Sequence, residues 1–382
     1  MIYRKIGKTD MQASIIGLGA EHLDNKPYEV VKDTIHAALE NDINIMDVFM
    51  PGTEVRNNIG RAIAGKRDKI LIQGHIGSVD LNKQYDITRD VTQCEKYFEQ
   101  LLRSLKTDYI DFGMMFFIDS EEDFKGVFET KFVDYVLKLK QQGKIRSIGA
   151  SSHNPVMASR VVETGIVDML MFSINPAFDM TPIETDALST LDDGFGKQSL
   201  TGIDSARADF YKLCEQKNVA ITVMKTLGAG KLLSAEHTPF KKAMTVEQCI
   251  HYALTRPAVA STLIGCKSRD EILKAVNYLN LSEEQLDYSD IISSFNGNFK
   301  GNCVYCNHCR PCPSDIDIAA VTKYLDIAKL DSKNIPPSIN QHYNALSSHA
   351  SDCISCGSCE SRCPFSVDII GNMSTAASLF GL

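Results

Sequence analysis

The sequence has no surplus of positive charge, no long apolar run and no apolar stretch at its start. Forty Lys and Arg against 48 Asp and Glu leave a net charge of −8, the wrong sign for a polyanion-binding surface, which excludes nucleic acid as a first reading. No run of 18 or more apolar residues occurs, so no membrane span is expected. Residues 1–14 mix Arg4, Lys5, Lys8 and Asp10 without a signal-peptide core, and the expected location is the cytoplasm. Cysteine is scarce before residue 303, where only Cys94, Cys214, Cys249 and Cys266 occur, so a disulfide scaffold spread through the fold is excluded. What is present suffices for a sizeable core: 382 residues, 44% of them hydrophobic and 23% charged, which rules out a mainly disordered chain. At about 150 residues per domain, the length suits two or three domains, or one large barrel with an appendage.

Eight short apolar runs recur along the first 280 residues, at 15–18, 43–48, 70–73, 110–115, 145–150, 169–174, 219–224 and 262–264. Between them, segments such as 30–39, 91–105, 132–139, 209–213 and 246–254 space their apolar residues three and four apart, as helices packed on one face do. Eight strand-and-helix units predict an α/β fold, a TIM (β/α)8 barrel over residues 1–295. Residues 3–14 read as a hairpin closing its bottom, and the Pro- and Gly-bearing stretch 176–200 reads as a long loop after strand six. Asn296, Gly297, Asn298 and Gly301 mark a boundary, leaving 296–382 as a small, mainly helical domain in which residues 316–330 form a helix.

Eight cysteines crowd that second domain. They fall as Cys303-x2-Cys306-x2-Cys309-x2-Cys312-Pro313 and Cys353-x2-Cys356-x2-Cys359-x3-Cys363-Pro364. The second group has the bacterial ferredoxin spacing for a 4Fe-4S cluster, and the first is one residue short of it. The reading is a ferredoxin-like domain with two 4Fe-4S clusters, in which Cys312 and Cys363 cross over to the other cluster. A pair of four-Cys zinc sites is the bland alternative, but zinc requires neither a third close cysteine nor the Cys-Pro ending.

Reactive groups of a TIM barrel sit where its strands end. Those positions hold Glu21 and His22, Asp47, His75, Phe116, Ser151 to His153, Asn175, Lys225, and Gly265 to Arg269. The stretches Asn44-Ile45-Met46-Asp47, Ile148-Gly149-Ala150-Ser151-Ser152-His153, Met224-Lys225-Thr226-Leu227-Gly228-Ala229-Gly230-Lys231-Leu232 and Ile264-Gly265-Cys266-Lys267-Ser268 resemble the aldo/keto reductases. More narrowly, the chain resembles their branch with a carboxy-terminal ferredoxin domain. The resemblance implies an NADP(H)-binding barrel. Ser151, Ser152 and Asn175 would meet the nicotinamide, while Lys225, Leu227, Gly228, Gly230, Lys231, Lys267, Ser268 and Arg269 would hold the pyrophosphate end and the adenosine phosphate. A Gly-rich loop and basic side chains suit phosphate.

The resemblance also implies a catalytic Asp, Tyr, Lys and His. Asp47 matches, but no Tyr follows it in Met50-Pro51-Gly52-Thr53-Glu54, the Lys position holds His75, and the His position holds Phe116. Phenylalanine moves no proton, so the expected proton-handling pair is Asp47 and His75, the carboxylate setting the tautomer of the imidazole. His22 and His153 are further candidates on neighbouring strand ends.

The expected activity is therefore that of an oxidoreductase coupling a small-molecule substrate at the barrel mouth to one-electron transfer through two clusters. Ferredoxin or another carrier is the expected partner. Nicotinamide passes two electrons as hydride and a cluster passes one, so coupling them calls for an intermediary such as a flavin, for which the sequence shows no motif. The competing reading is a non-catalytic electron-transfer or regulatory subunit on a barrel that has lost its tetrad.

Overall fold

The computed structural model describes residues 1–81, 84–182, 203–294 and 299–382. Asp192, Asp193, Gly194 and Gly196 of the expected loop, and the expected junction at 295–296 with Asn296 to Asn298, lie outside the described residues. The chain divides into two compact units. The first comprises Met1–Ile174, Val219–Thr226 and Val259–Asn280, the second Asn175–Asn218, Leu227–Ala258 and Leu281–Leu382.

The first unit contains a closed barrel. Its chain opens with an antiparallel hairpin, β1 (Tyr3–Lys5) and β2 (Gln12–Ser14), as expected. Eight parallel strands follow: β3 (Ile16–Gly19), β4 (Ile45–Val48), β5 (Leu71–Ile76), β8 (Ile110–Met115), β9 (Ile145–Ser152), β10 (Met169–Ser173), β11 (Ala220–Met224) and β12 (Val259–Gly265), closed by β12 pairing with β3. A second antiparallel hairpin, β6 (Ser78–Leu81) and β7 (Gln84–Ile87), follows β5.

Side chains of alternate strand residues fill the barrel. Ile45, Phe112, Met114, Met169, Met171 and Leu263 form one buried cluster with Ile6 and Ala13 of the first hairpin, so the hairpin plugs the end at which the strands begin. Arg4 Nη1 secures it by donating to Val259 O at 2.6 Å. The bulk of Met114 is accommodated because the next strand carries Gly149, where a Cβ would lie 2.4 Å from Met114 Sδ.

Where the structure departs from the sequence reading, the causes are local. The third barrel strand runs to Ile76, which places His75 inside a strand rather than after it; the run 70–73 stops short because Gly74 and His75 break the apolar pattern. Thr53 opens helix Thr53–Ala62, which polar residues had masked. The stretch from Asn175 begins as one helical turn, Pro176–Asp179, capped by the Asn175 side chain, and not as loop. The hairpin β6–β7 escapes the sequence reading because its strands are four residues long and alternate polar with apolar side chains, too short to give a run.

The second unit is helical among its described residues. Helix Ile318–Ala328, within the expected 316–330, packs against helices Ser205–Lys217, Pro337–Asn344 and Ile369–Phe380. No helix among the described residues is long and apolar enough to cross a membrane.

Candidate active site

Strand pairing dictates which side chains meet at the barrel mouth. Asp47 pairs with Gln73 across β4 and β5, and side chains two apart on a strand share a face, so Gln73 and His75 both turn towards Asp47. His75 Nε2 lies 2.8 Å from Asp47 Oδ1, and Gln73 Nε2 donates to the same oxygen at 3.3 Å. Asp47 is 2% exposed and His75 3%. A carboxylate only accepts, so His75 donates through Nε2. His75 Nδ1, buried and without a hydrogen-bond partner among the described residues, is left to take or give a proton.

Aromatic rings wall this pair. His75 meets Phe116 edge-on with ring centroids 5.2 Å apart and Phe49 at 6.1 Å. The sequence reading found no Tyr after Asp47, yet a phenol reaches the mouth from another element: the Tyr85 ring, on β7, stands 5.5 Å from Phe49 and 6.3 Å from Phe116. Its side chain is half exposed. Tyr85 lies 38 positions beyond Asp47, and no local signal ties the two together.

A second carboxylate and imidazole lie beside the first. Asp119 Oδ1 accepts from the His153 backbone N–H at 2.6 Å and from Ser152 Oγ at 2.9 Å, while Asp119 Oδ2 is 2.8 Å from His153 Nδ1. Burial pushes the Asp119 carboxyl up, but the hydrogen bonds and charge of His153 outweigh it and hold the group below the usual carboxylate range. The rings of Phe116 and Phe117 link the two imidazoles, with centroids 5.9 Å apart and Phe117 5.4 Å from His153. Phe117 adopts a left-handed backbone, φ 56°, strained for so bulky a residue. Its N–H donates to Ser151 Oγ at 2.9 Å and its carbonyl accepts from Arg89 Nη2 at 2.7 Å, which hold it there. The expected list included His153 but missed Asp119, whose position 34 residues away carries no spacing signal.

Of the other expected barrel residues, Lys225 also has a left-handed backbone, φ 59°, with Nζ 3.9 Å from Glu21 Oε2. His22 packs over Gly265. Lys267 N–H donates to Glu271 Oε2 at 2.8 Å, and Ser268 caps helix Arg269–Val276. Arg269 is held by Asp33 at 2.9 Å and Glu40 at 2.8 Å. Ser151, Ser152 and Arg269 thus have partners within the chain at the positions expected to hold nucleotide.

The second unit carries the remaining candidates. Asn175 Oδ1 accepts from Phe178 N–H at 2.9 Å. Gly228, Ala229 and Gly230 are all left-handed, with φ of 56°, 53° and 84°, and Gly230 N–H donates to Leu227 O at 2.9 Å. Lys231 follows in the same 3-10 turn.

No disulfide joins any of the twelve cysteines. Cys312 lines a single cavity with Cys353, Cys356 and Cys359, walled by Ile316, Ile369 and Met373. In the other group Tyr305 N–H donates to Cys303 Sγ at 3.4 Å, and Cys363 lies within electrostatic reach of both Cys306 and Cys309. Burial pushes the Cys306 and Cys309 thiols up to about 12. Tyr305, Asn307, Ser355 and Gly357 turn left-handed between the cysteines, the kind of tight loop that aims backbone N–H groups at a concave site. Arg362 Nη2 ties the groups together, donating to Cys309 O at 2.7 Å and Pro311 O at 2.6 Å. Among the described residues no group of three or more His, Cys, Asp or Glu closes on a single metal ion.

Residues 15–294 match the model of the aldo/keto reductase family. The oxidoreductase YqkF of Bacillus subtilis (strain 168), itself uncharacterised, is 28% identical over 303 residues, 74% of this chain and 94% of its own length. Among solved structures, the aldo-keto reductase AKR11C1 of Bacillus halodurans in its holo form superposes with a TM-score of 0.58 at 19% identity, covering 75% of this chain and 94% of that one. PA4992, a putative aldo-keto reductase of Pseudomonas aeruginosa, gives 0.55 at 17% identity, covering 72% and 95%. At such identities the two structures speak for the fold alone.

Proposed function

Because the chain belongs to the aldo/keto reductase family, we propose that it is an iron-sulfur oxidoreductase. In this reading a barrel over residues 1–295 takes a small-molecule substrate with NADP(H) or a flavin, and a ferredoxin-like domain over 296–382 holds two 4Fe-4S clusters. Those clusters exchange electrons with ferredoxin or another carrier. One observation carries the reading: Cys312 of the first group shares the cavity of Cys353, Cys356 and Cys359, while Cys363 of the second lies within electrostatic reach of Cys306 and Cys309. Exchange of the fourth cysteine is how two-cluster ferredoxins ligate their iron. The apolar wall of Ile316, Ile369 and Met373 would keep water from such a group. Bound there, a cluster passes electrons singly, whereas nicotinamide passes a hydride.

At the barrel mouth the chain's own residues have separable tasks. Asp47 holds His75 Nε2, so Nδ1 is the atom that accepts and later releases the proton to be moved. Phe49 and Phe116 exclude water from the pair, and Asp119 orients His153. Replacing His75 with Ala is expected to abolish turnover or alter its pH profile; unchanged turnover with an unchanged profile overturns the assignment.

The decisive experiment is anaerobic purification with absorption spectroscopy and iron and sulfide analysis. About eight irons and eight sulfides per chain are expected for two cubane clusters. A colourless protein that stays iron-free after reconstitution overturns the electron-transfer reading.

A second reading, a non-catalytic electron-transfer or regulatory subunit, is favoured by the in-chain partners of Ser152 and Arg269 and by Phe116 at the position of the family's His. Titration with NADPH and NADP+ separates the two. Saturable binding overturns the subunit, and no binding of NADP(H) together with no extractable flavin supports it.

A further inference from the structure

The loop between the first two cysteines, Cys303-Val304-Tyr305-Cys306, rests on a buried cation. Arg256, at the carboxyl end of helix Val246–Thr255, is 3% exposed. Its Nη2 donates to Val304 O, to Tyr288 Oη at 3.1 Å and to Thr255 Oγ1 at 3.0 Å. Tyr288 Oη donates to the same Val304 carbonyl at 2.9 Å. The guanidinium lies 4.4 Å from the centre of the Tyr252 ring and 5.0 Å from that of Tyr305.

A guanidinium stays charged at any working pH, and burying one is costly unless a countercharge or the site's purpose offsets it. Among the described residues no carboxylate stands at ion-pair distance from Arg256. Of the acids in the network, Asp326 accepts from Tyr305 Oη at 2.8 Å, and Asp179 accepts from Tyr211 Oη at 2.5 Å and Tyr252 Oη at 2.8 Å, with Arg207 at 3.5 Å. Arg256 thus directs a positive charge, offset only from a distance by Asp179, at the backbone between Cys303 and Cys306, where salt does not screen it.

We propose that Arg256 sets the reduction potential of the cluster held by Cys303, Cys306, Cys309 and Cys363. The inference rests on the cluster reading above. Each one-electron reduction adds one negative charge to a cluster, so a fixed cation beside it stabilises the reduced form and raises the potential. Arg310, inside the first group, is paired with Glu283 and Asp315, and Arg362 reaches Cys309 O and Pro311 O and bears on both cysteine sets, whereas Arg256 bears on the first with no carboxylate at ion-pair distance among the described residues. Arg256 is a positioning residue and touches no substrate.

The test is an electron-paramagnetic-resonance titration of the anaerobically reconstituted full chain with dithionite and mediators. In Arg256→Gln one of the two couples is expected to fall at least tenfold in its reduction equilibrium constant, about 59 mV for one electron, while the other moves less than about threefold. Arg256→Lys, which keeps the charge, holds both couples near native. Both couples of Arg256→Gln within about threefold of native overturn the inference. Should Arg256→Gln fail to load iron, Asp179→Asn decides. Loss of that distant carboxylate leaves the network more positive and raises the same couple, and an unmoved couple overturns the inference. Native protein that binds no iron overturns the cluster reading itself, a result distinct from a loaded protein whose potential ignores Arg256.

Discussion

Replacing His75 with Phe probes the barrel mouth without an assay of turnover. The variant keeps a ring of similar size among Phe49 and Phe116 but deletes the donor 2.8 Å from Asp47 Oδ1. Asp47, 2% exposed, is then left with Gln73 Nε2 at 3.3 Å. Breaking a buried pair by removing one partner costs about 3–5 kcal/mol, because the other charge stays desolvated. At roughly 2–4 °C per kcal/mol for a domain of this size, the melting temperature should fall by about 6–20 °C. Replacing both members, Asp47→Leu with His75→Phe, removes the stranded carboxylate and should return stability to within about 1–2 kcal/mol of native. Thermal and urea unfolding of the anaerobic full chain, followed by circular dichroism, measures both. If His75→Phe costs less than about 1 kcal/mol, or the double variant is no more stable than the single, the two side chains are not a coupled buried pair. The proton-handling role would then lose its structural basis.

Asp119→Asn should destabilise the protein by about 1–3 kcal/mol at neutral pH, the scale of lost hydrogen bonds to a charged group. Because its folded carboxyl titrates below the unfolded one, that stability is present above the unfolded value of about 4 and is lost as pH falls through the folded value; in urea melts the gap between variant and native protein should be narrower at pH 3 than at pH 7. Gly60→Ala would place a Cβ 2.1 Å from Ser104 O, pushing helix Thr53–Ala62 off helix Val91–Leu105 at a cost of about 1–3 kcal/mol, and an unchanged melting temperature would show that this close approach is not required. Burial pushes the Cys94 and Cys266 thiols up to about 12, so iodoacetamide at pH 8 should leave both unlabelled in the native protein and label both after denaturation, as peptide mass analysis would report.

How far the fold could be read depended on how local its signals are. The run 110–115 and the helix 91–105 were legible to the residue, because a strand buried on both faces is mostly apolar, Asp111 apart, and a helix packed on one face repeats every three to four residues. Strand β5 reads short and β6–β7 escapes, since Gly74 and His75 break the apolar run and the hairpin strands are only four residues long. At the candidate site, Asp47 and His75 were legible as strand-end residues. Asp119, Tyr85 and Arg256 were not, because nothing in their neighbourhoods along the chain marks the partners they meet.

By itself the sequence determined the eightfold strand-and-helix alternation, the bottom hairpin and the spacing of the two cysteine groups, all properties of neighbours along a chain whose geometry follows from bond lengths and side-chain periodicity. Only the tertiary structure decided that Cys312 shares a cavity with Cys353, that Asp119 seats His153, that a phenol from β7 overhangs Phe116, and that Arg256 lies under Val304. Those meetings join residues tens of positions apart, and they depend on barrel register and helix packing, which bring distant side chains together without leaving a mark in local order.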